Sequence, residues 1–419
     1  MILAFFEISL IFLAETNNVR TEYSYVFSTV TWVVAALVVV WLVWYFVEKY
    51  QRAKSLRRKS RKPKDKNLRR IVKIKTELTM RWLRKGASKK IHAIGIGKLA
   101  NGEFCIQIFI NDSTEKPFES RPAEQIPNVY KNIPLVIVAM PQASFLSAEN
   151  HFANFSAEEY RKLIRGHQDT IIGGISGANA NLDGNSGTIG YFCRKKSFLP
   201  RRSEVYLLSN SHVFADLRRM NVEAHDFILQ PSPGEGGTSR SIAELTQLSP
   251  LKFDNDVTDT NRIDVAIAKL FREQTHKFLL PFIGEIKRYV AKEEVEIGEK
   301  ARKFGRTTGY TSGKIFSISL DIWIKYDRTG KESFFADQFL IEPEKENYEK
   351  FVDKGDSGSL LVDGKNNAVG LIFAGANGKL DIDVKSEQKE IIKISNYGVA
   401  NPISEVMKQM KIELIFADE

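Results

Sequence analysis

Three residues in the C-terminal half of the chain are of the types that carry out acyl transfer. Ser357 lies in Lys354-Gly-Asp-Ser-Gly-Ser359. A serine hydroxyl is a weak nucleophile until an adjacent base takes its proton. The oxyanion it creates needs backbone N–H donors aimed at it. Gly355 and Gly358 let the chain turn tightly enough to present such donors. His212 lies in Leu207-Leu-Ser-Asn-Ser-His-Val-Phe214, where an apolar strand runs into a polar turn that holds the imidazole at a strand end. Asp264 heads the apolar run Asp264-Val-Ala-Ile-Ala-Lys-Leu270, where it can be buried and orient His212. Each residue alone also has a plain structural reading, as a turn serine, a core histidine and a strand-end acid. Their order, His, Asp, Ser, with gaps of 52 and 93 residues, favours the chemical reading.

The elements that must position them are short and β-rich. From Ile171 onward, runs such as GTIGYFC, EVYLLSN, SGKIFSISL, SLLVDG and AVGLIFAG alternate with Gly, Asn and Asp turns. Many short strands at such spacing predict a barrel or sandwich. The first strong helix pattern after them is Pro402–Met410. Upstream, Ile91–Lys98, Phe104–Ile110 and Ile133–Met140 read as strands of a small α/β unit, with a polar, Pro-containing stretch from Asn111 to Asn132. Ser156-Ala-Glu-Glu159 is a capping-box pattern for a helix over Ala157–Arg165, which Gly166 would end. His92 and His151 are isolated and read as ordinary core or surface histidines.

Of the 419 residues, 43% are hydrophobic and 27% charged, a globular composition. The two cysteines, Cys105 and Cys193, exclude a disulfide scaffold and a cysteine-built zinc site. Six histidines without a His-Glu-x-x-His pair remove the zincin reading, and no metal or cofactor is expected. The net charge of +10 is local. Residues 49–75 carry fourteen Lys/Arg against one acid, Asp65, while residues 76–419 sum to zero.

Tyr25 to Val47 is 23 residues without a charge, long enough to cross a bilayer as a helix. Trp41, Trp44 and Tyr45 lie near its end, where aromatic rings favour the interface. The basic stretch begins at Lys49, which predicts a cytoplasmic C-terminal body of an inner-membrane protein. Met1–Ala14 is a second apolar run interrupted by Glu7; it fits an interfacial segment or one arm of a hairpin. The basic run is expected to meet membrane lipids rather than nucleic acid, because residues 51–70 contain no aromatic side chains to stack bases.

GDSGS, a strand ending in Ser-Asn-Ser-His-Val, and Asp-Val-Ala-Ile in the order His, Asp, Ser resemble the chymotrypsin (trypsin-like) serine proteases over about 250 residues, from Ile171 to the end. Gly305-Arg-Thr-Thr-Gly-Tyr-Thr-Ser-Gly313 resembles the GRTTG-type signature of a subgroup. It includes bacterial membrane-anchored trypsin-like peptidases and plant narrow-leaf-type proteases. Ala400-Asn-Pro-Ile-Ser-Glu-Val-Met407 resembles their closing helix.

The resemblance implies a mainly β, two-barrel chymotrypsin-like fold preceded by a transmembrane helix and a small α/β domain. The divisions expected are 1–48 with the span at 25–47, a basic juxtamembrane linker at 49–90, the α/β domain at 91–155 and the protease at 156–419. Ser357 would attack the peptide carbonyl, His212 would shuttle the proton, Asp264 would fix the tautomer, and the amides of Gly355 and Ser357 would form the oxyanion hole. Phe351 stands six residues before the nucleophile, where digestive members carry an acid. Together with Phe373, Ala374 and Gly375, which resemble the strand that pairs with substrate backbone, it implies an apolar or small residue before the scissile bond. Ile171-Ile-Gly-Gly174 resembles a zymogen's activation sequence, whose freed amine would pair with Asp356. Thr170 precedes it rather than a basic residue, so a plain strand and turn is expected. The expected activity is that of a membrane-anchored serine endopeptidase acting on protein or peptide, with the basic linker a candidate for self-cleavage. The alternative is a catalytically silent anchored scaffold that binds a partner peptide by strand addition.

Overall fold

The β-rich runs downstream of Ile171 are short and largely buried, and most of them pair antiparallel into two sheets. The computed structural model describes residues 33, 34, 36–38, 40, 41, 43–45 and 47. It also describes 66–84, 91–110, 126–145, 162, 164–182, 186–196, 204–216, 221–235, 238–253, 260–326, 331–376 and 391–416. They belong to two units, Met1–Pro63 and Lys64–Glu419.

In the larger unit, α1 is Lys66–Leu78, β1 Ile91–Lys98, β2 Phe104–Ile110, β3 Ile133–Ala139 and β4 Ser144–Phe145. Then come β5 Ala178–Asn179, β6 Tyr191–Lys195, β7 Tyr206–Ser209, the short helical turn α2 Ser211–Phe214, β8 Phe227–Gln230, β9 Arg240–Leu248 and β10 Ala266–Leu270. The C-terminal part holds β11 Lys300–Gly305, β12 Gly309–Tyr326, β13 Lys331–Pro343, β14 Leu360–Asp363, β15 Asn367–Ala376, β16 Ile391–Lys393, β17 Tyr397–Pro402, α3 Ile403–Met410 and β18 Ile412–Leu414.

One sheet has seven strands in the order β18-β6-β7-β10-β9-β8-β5. The other runs β11-β14-β15-β17-β13-β12, and β11 also pairs with β12, so these six strands close on themselves as a barrel. The final α3–β18 segment leaves the barrel and pairs β18 with β6 of the other sheet. One buried cluster joins the two, with Tyr191, Phe192 and Leu207 packed with Phe304, Leu371, Ile403 and Val406.

Among the described residues, the strands within 91–155 do not form a sheet separate from the barrel's. β12 is 18 residues long and outruns the barrel. Its far end pairs antiparallel with β1, Ile94 opposite Asp321, and β2, β3 and β16 extend the same sheet. Nor is the whole of 49–90 a linker. Lys66–Leu78 is helical because Ile71, Ile74 and Leu78 fall on one face and bury there; the flanking charges hide that spacing in the composition. Lys75 is buried on the same face, and its ammonium and the Thr79 hydroxyl both donate to Asp321 Oδ2 of β12 at 2.7 Å. The capping-box residues 156–159 lie outside the described residues, but Gly166 N–H bonds Lys162 O at 3.0 Å, as a helix end should.

The smaller unit is described only within 33–47. Its described residues are helical, and their apolar side chains face outward, Leu37 being 63% and Val40 65% exposed. Most of the predicted span lies outside the described residues, and no helix among the described residues is long and apolar enough to cross a membrane.

His92 in β1 is buried, and its two ring nitrogens have no hydrogen-bond partner among the described residues. Burial pushes its imidazolium down to about 3. Because the folded-state value lies below the unfolded one, near 6.5, the unfolded chain takes up the proton first. Stability is therefore lost as pH falls from about 6.5 towards about 3. Urea titrations should show the wild type losing up to about 1.4 kcal/mol per pH unit in this window relative to His92→Leu. Parallel acid limbs would contradict this account of the site.

Candidate active site

Strand β7 ends at Ser209, and the extended backbone of Asn210 turns the chain into α2 and carries His212 with it. Strand β10 lies beside β7 with Ala266 opposite Ser209, which brings the residues just before β10 against that turn. Asp264 is thereby placed on His212: its Oδ2 pairs with the ring Nδ1, an engagement that fixes the tautomer. Asp264 Oδ1 accepts the backbone N–H of Ser211 at 2.8 Å and that of His212 at 3.4 Å. The Asp264 backbone is held as well. Its N–H donates to Asn401 Oδ1 at 3.0 Å, and its carbonyl accepts from Asn210 Nδ2 at 2.7 Å. Ser211 Oγ donates to the carbonyls of Ser249 and Val265, both at 2.9 Å, which closes the turn over the carboxylate.

The Ser357 loop comes from the barrel side and packs against Ser209, the residue that ends β7. Gly355 and Gly358 have φ of +99° and +95°, a backbone that other residues rarely adopt. A Cβ on Gly358 would also stand 2.2 Å from Thr188 O and 2.3 Å from Ser209 Oγ. The Ser357 hydroxyl donates to Phe373 O at 3.4 Å.

Thr188 joins the two sheets at this point. Its N–H donates to Ser357 O at 2.9 Å, its hydroxyl to Gly355 O at 2.8 Å, and its carbonyl accepts the Ser209 hydroxyl at 2.7 Å. Both sides of the site are therefore bonded to one residue, with the serine loop on one side and the strand leading to His212 on the other. Thr188 stands within the GTIGYFC run, but nothing in that run marks it as the joint.

Asp356 shows what the GRTTG segment does. Its fully buried carboxylate accepts Thr307 N–H at 2.8 Å, Thr308 N–H at 3.1 Å, the Thr308 hydroxyl at 2.6 Å and Asp353 N–H at 2.9 Å. Lys303 Nζ completes the set at 3.2 Å. Burial lowers the Lys303 ammonium below the usual lysine range, and the Asp356 charge works against that. Ile171 is elsewhere, buried in a two-residue pairing with Thr275–His276, its carbonyl accepting Lys277 N–H at 2.9 Å. Arg306 N–H donates to Thr188 Oγ1 at 3.1 Å, and its side chain pairs with Glu235.

Phe351, Phe373, Ala374 and Gly375 are all buried. Phe351 and Val352 pack beneath the β15–β17 strands: a Cβ on Gly398 would stand 2.9 Å from Phe351 Cδ1, and one on Gly375 2.5 Å from Val352 Cγ2. Among the described residues no cluster of His, Cys, Asp or Glu could hold a metal ion.

Residues 280–419 match the protein-family profile described as the Nal1 C-terminal domain. That stretch contains Ser357 and excludes His212 and Asp264. Proteases are among the solved structures that are similar to the chain. Protease A of Thermobifida fusca is 14% identical, with 59% of this chain and 100% of that one covered and a TM-score of 0.37. A Nocardiopsis protease is 13% identical over 58% and 98% of the two chains, with a TM-score of 0.37. A chymotrypsin of Cellulomonas bogoriensis is 12% identical over 59% and 100%, with a TM-score of 0.35. No curated protein matches the chain.

Lys303→Met leaves the Asp356 carboxylate buried without its counter-charge, a change that costs about 3–5 kcal/mol. The double variant with Asp356→Asn should regain part of that loss. Denaturant unfolding of the two variants checks it, and equal stabilities would contradict the pairing.

Proposed function

We propose that the protein is a serine endopeptidase working through His212, Asp264 and Ser357. The observation that carries the reading is the buried His212–Asp264 pair. The strand leading to His212 and the Ser357 loop are bonded to a common neighbour, Thr188. With Nδ1 engaged by Asp264, Nε2 is the nitrogen that takes the Ser357 proton as Oγ attacks the peptide carbonyl carbon. The carbonyl π bond becomes an oxyanion held by the amides of Gly355 and Ser357, each such donor contributing about 3–4 kcal/mol in the transition state. Collapse breaks the C–N bond, and the imidazolium returns its proton to the leaving amine. Water then repeats the cycle on the acyl-enzyme and restores the hydroxyl. Asp264 stays ionised and stabilises the imidazolium.

Phe351 and Val352 supply apolar packing where an acid would select a basic residue, which favours a small or apolar side chain before the scissile bond. The GRTTG segment and the match over residues 280–419 support a place near the plant narrow-leaf-type and related bacterial proteases. The anchored, non-catalytic scaffold remains the competing reading.

A fluorophosphonate probe decides between them. The enzyme reading expects mass added to Ser357 in folded protein and none in Ser357→Ala, with Asp264→Asn slowing turnover on the order of 10⁴-fold. Folded protein that never labels favours the scaffold.

The exposed apolar helix within 33–47 and the basic residues after it support a membrane anchor with the protease on the cytoplasmic side of the inner membrane. Full-length protein should then stay in the membrane pellet through alkaline carbonate extraction. Recovery in the supernatant would remove the anchor.

A further inference from the structure

The strand edge that the sequence marks for substrate is covered by the chain itself. β4 lies antiparallel to β15, with Ser144 opposite Gly375 and Phe145 opposite Ala374. Read from Ser144 to Phe145, it advances from Gly375 towards Phe373. The Phe373 carbonyl accepts the Ser357 hydroxyl at 3.4 Å. An extended peptide delivered to that hydroxyl by pairing with β15 would take this edge in this direction.

The segment is held from its other side too. Ala143 O accepts Lys325 N–H at 3.0 Å, and Ser144 pairs with Lys325 of β12. Pro141 O accepts the Tyr397 hydroxyl at 2.6 Å. The cover is complete, since Ser357, Phe373 and Ala374 are each 0% exposed. A nucleophile with no accessible surface cannot meet a protein substrate in this arrangement.

We infer that Ser144–Phe145 is an autoinhibitory strap, an internal occupant of the peptide-binding edge that must leave before an external peptide can pair with Phe373–Gly375. The inference rests on the peptide-hydrolase reading of this site. A tethered occupant competes at an effective concentration on the order of millimolar. Its ladder is only two residues long, so a longer peptide making more backbone bonds can displace it. The resting enzyme is thus slow rather than dead, and whatever pulls the segment 141–145 from β15 and β12 turns it on.

The test uses full-length protein carrying Ser357→Ala, so that binding is read without turnover. The probe is a fluorescent peptide copying residues 140–147. Ser144→Pro removes the N–H of the strap and should raise probe affinity at least tenfold. Unchanged affinity in protein with native circular dichroism overturns the strap. A second variant guards against misfolding. Phe145→Cys with Ala374→Cys places two thiols on directly opposed residues, a spacing within disulfide reach. Oxidation should lower probe affinity at least tenfold and reductant should restore it; equal affinity in both states overturns the inference. With Ser357 present, Ser144→Pro should also label faster with a peptidyl fluorophosphonate. Tighter peptide binding without any labelling would sustain the strap and remove the protease reading.

Discussion

The fully buried carboxylate of Asp264 constrains everything around it. An ionised carboxylate withdrawn from water costs several kcal/mol unless donors surround it. Here the donors are two consecutive amides and the imidazole of the His212 turn. The carboxylate can supply that turn only if β7 and β10 are neighbours in one register, and the observed pairing of Ser209 with Ala266 meets this. The same logic repeats in the barrel, where the carboxylate of Asp356 gathers Thr307, Thr308, Asp353 and Lys303 around it. Two buried acids, one in each half, organise the turns that carry the histidine and the serine.

Thr188 then locks the halves together. Each of its polar backbone and side-chain groups bonds across the boundary or to the strand leading to His212, and each is buried. A buried polar group that loses its partner costs about 1–3 kcal/mol, so sliding one half over the other would break several bonds at once. The closing α3–β18 segment reinforces this by crossing from the barrel to the seven-stranded sheet.

The legible parts of the sequence were the local ones. GDSGS requires two glycines with positive φ within four residues, and a strand ending in Ser-Asn-Ser-His-Val is self-contained. Ser357, His212 and Asp264 could therefore be picked out, as could the helix at Ile403–Met410. Lys303, Thr188 and Asn401 could not. Their roles come from partners 53, 169 and 137 positions away, and a lysine, a threonine and an asparagine in or beside strands have no pattern of their own. The helix Lys66–Leu78 was hidden by the charges on its outer face. The pairing of β1 with the far end of β12 was not legible either, because the 18-residue length of β12 leaves no mark in its sequence. β4 is two residues long, too short for any periodicity, so the covered edge at Phe373–Gly375 was expected to be open.

The central claim is that these side chains form an acyl-transfer site. Rapid mixing with an activated ester, followed by acid quench and peptide mass mapping, tests it directly. In Ser144→Pro protein, where the edge is freed, the account predicts a burst of product with the acyl group on Ser357, and no burst when His212→Ala is added. Folded Ser144→Pro protein that gives no burst, or that carries the acyl group on another residue, would contradict it.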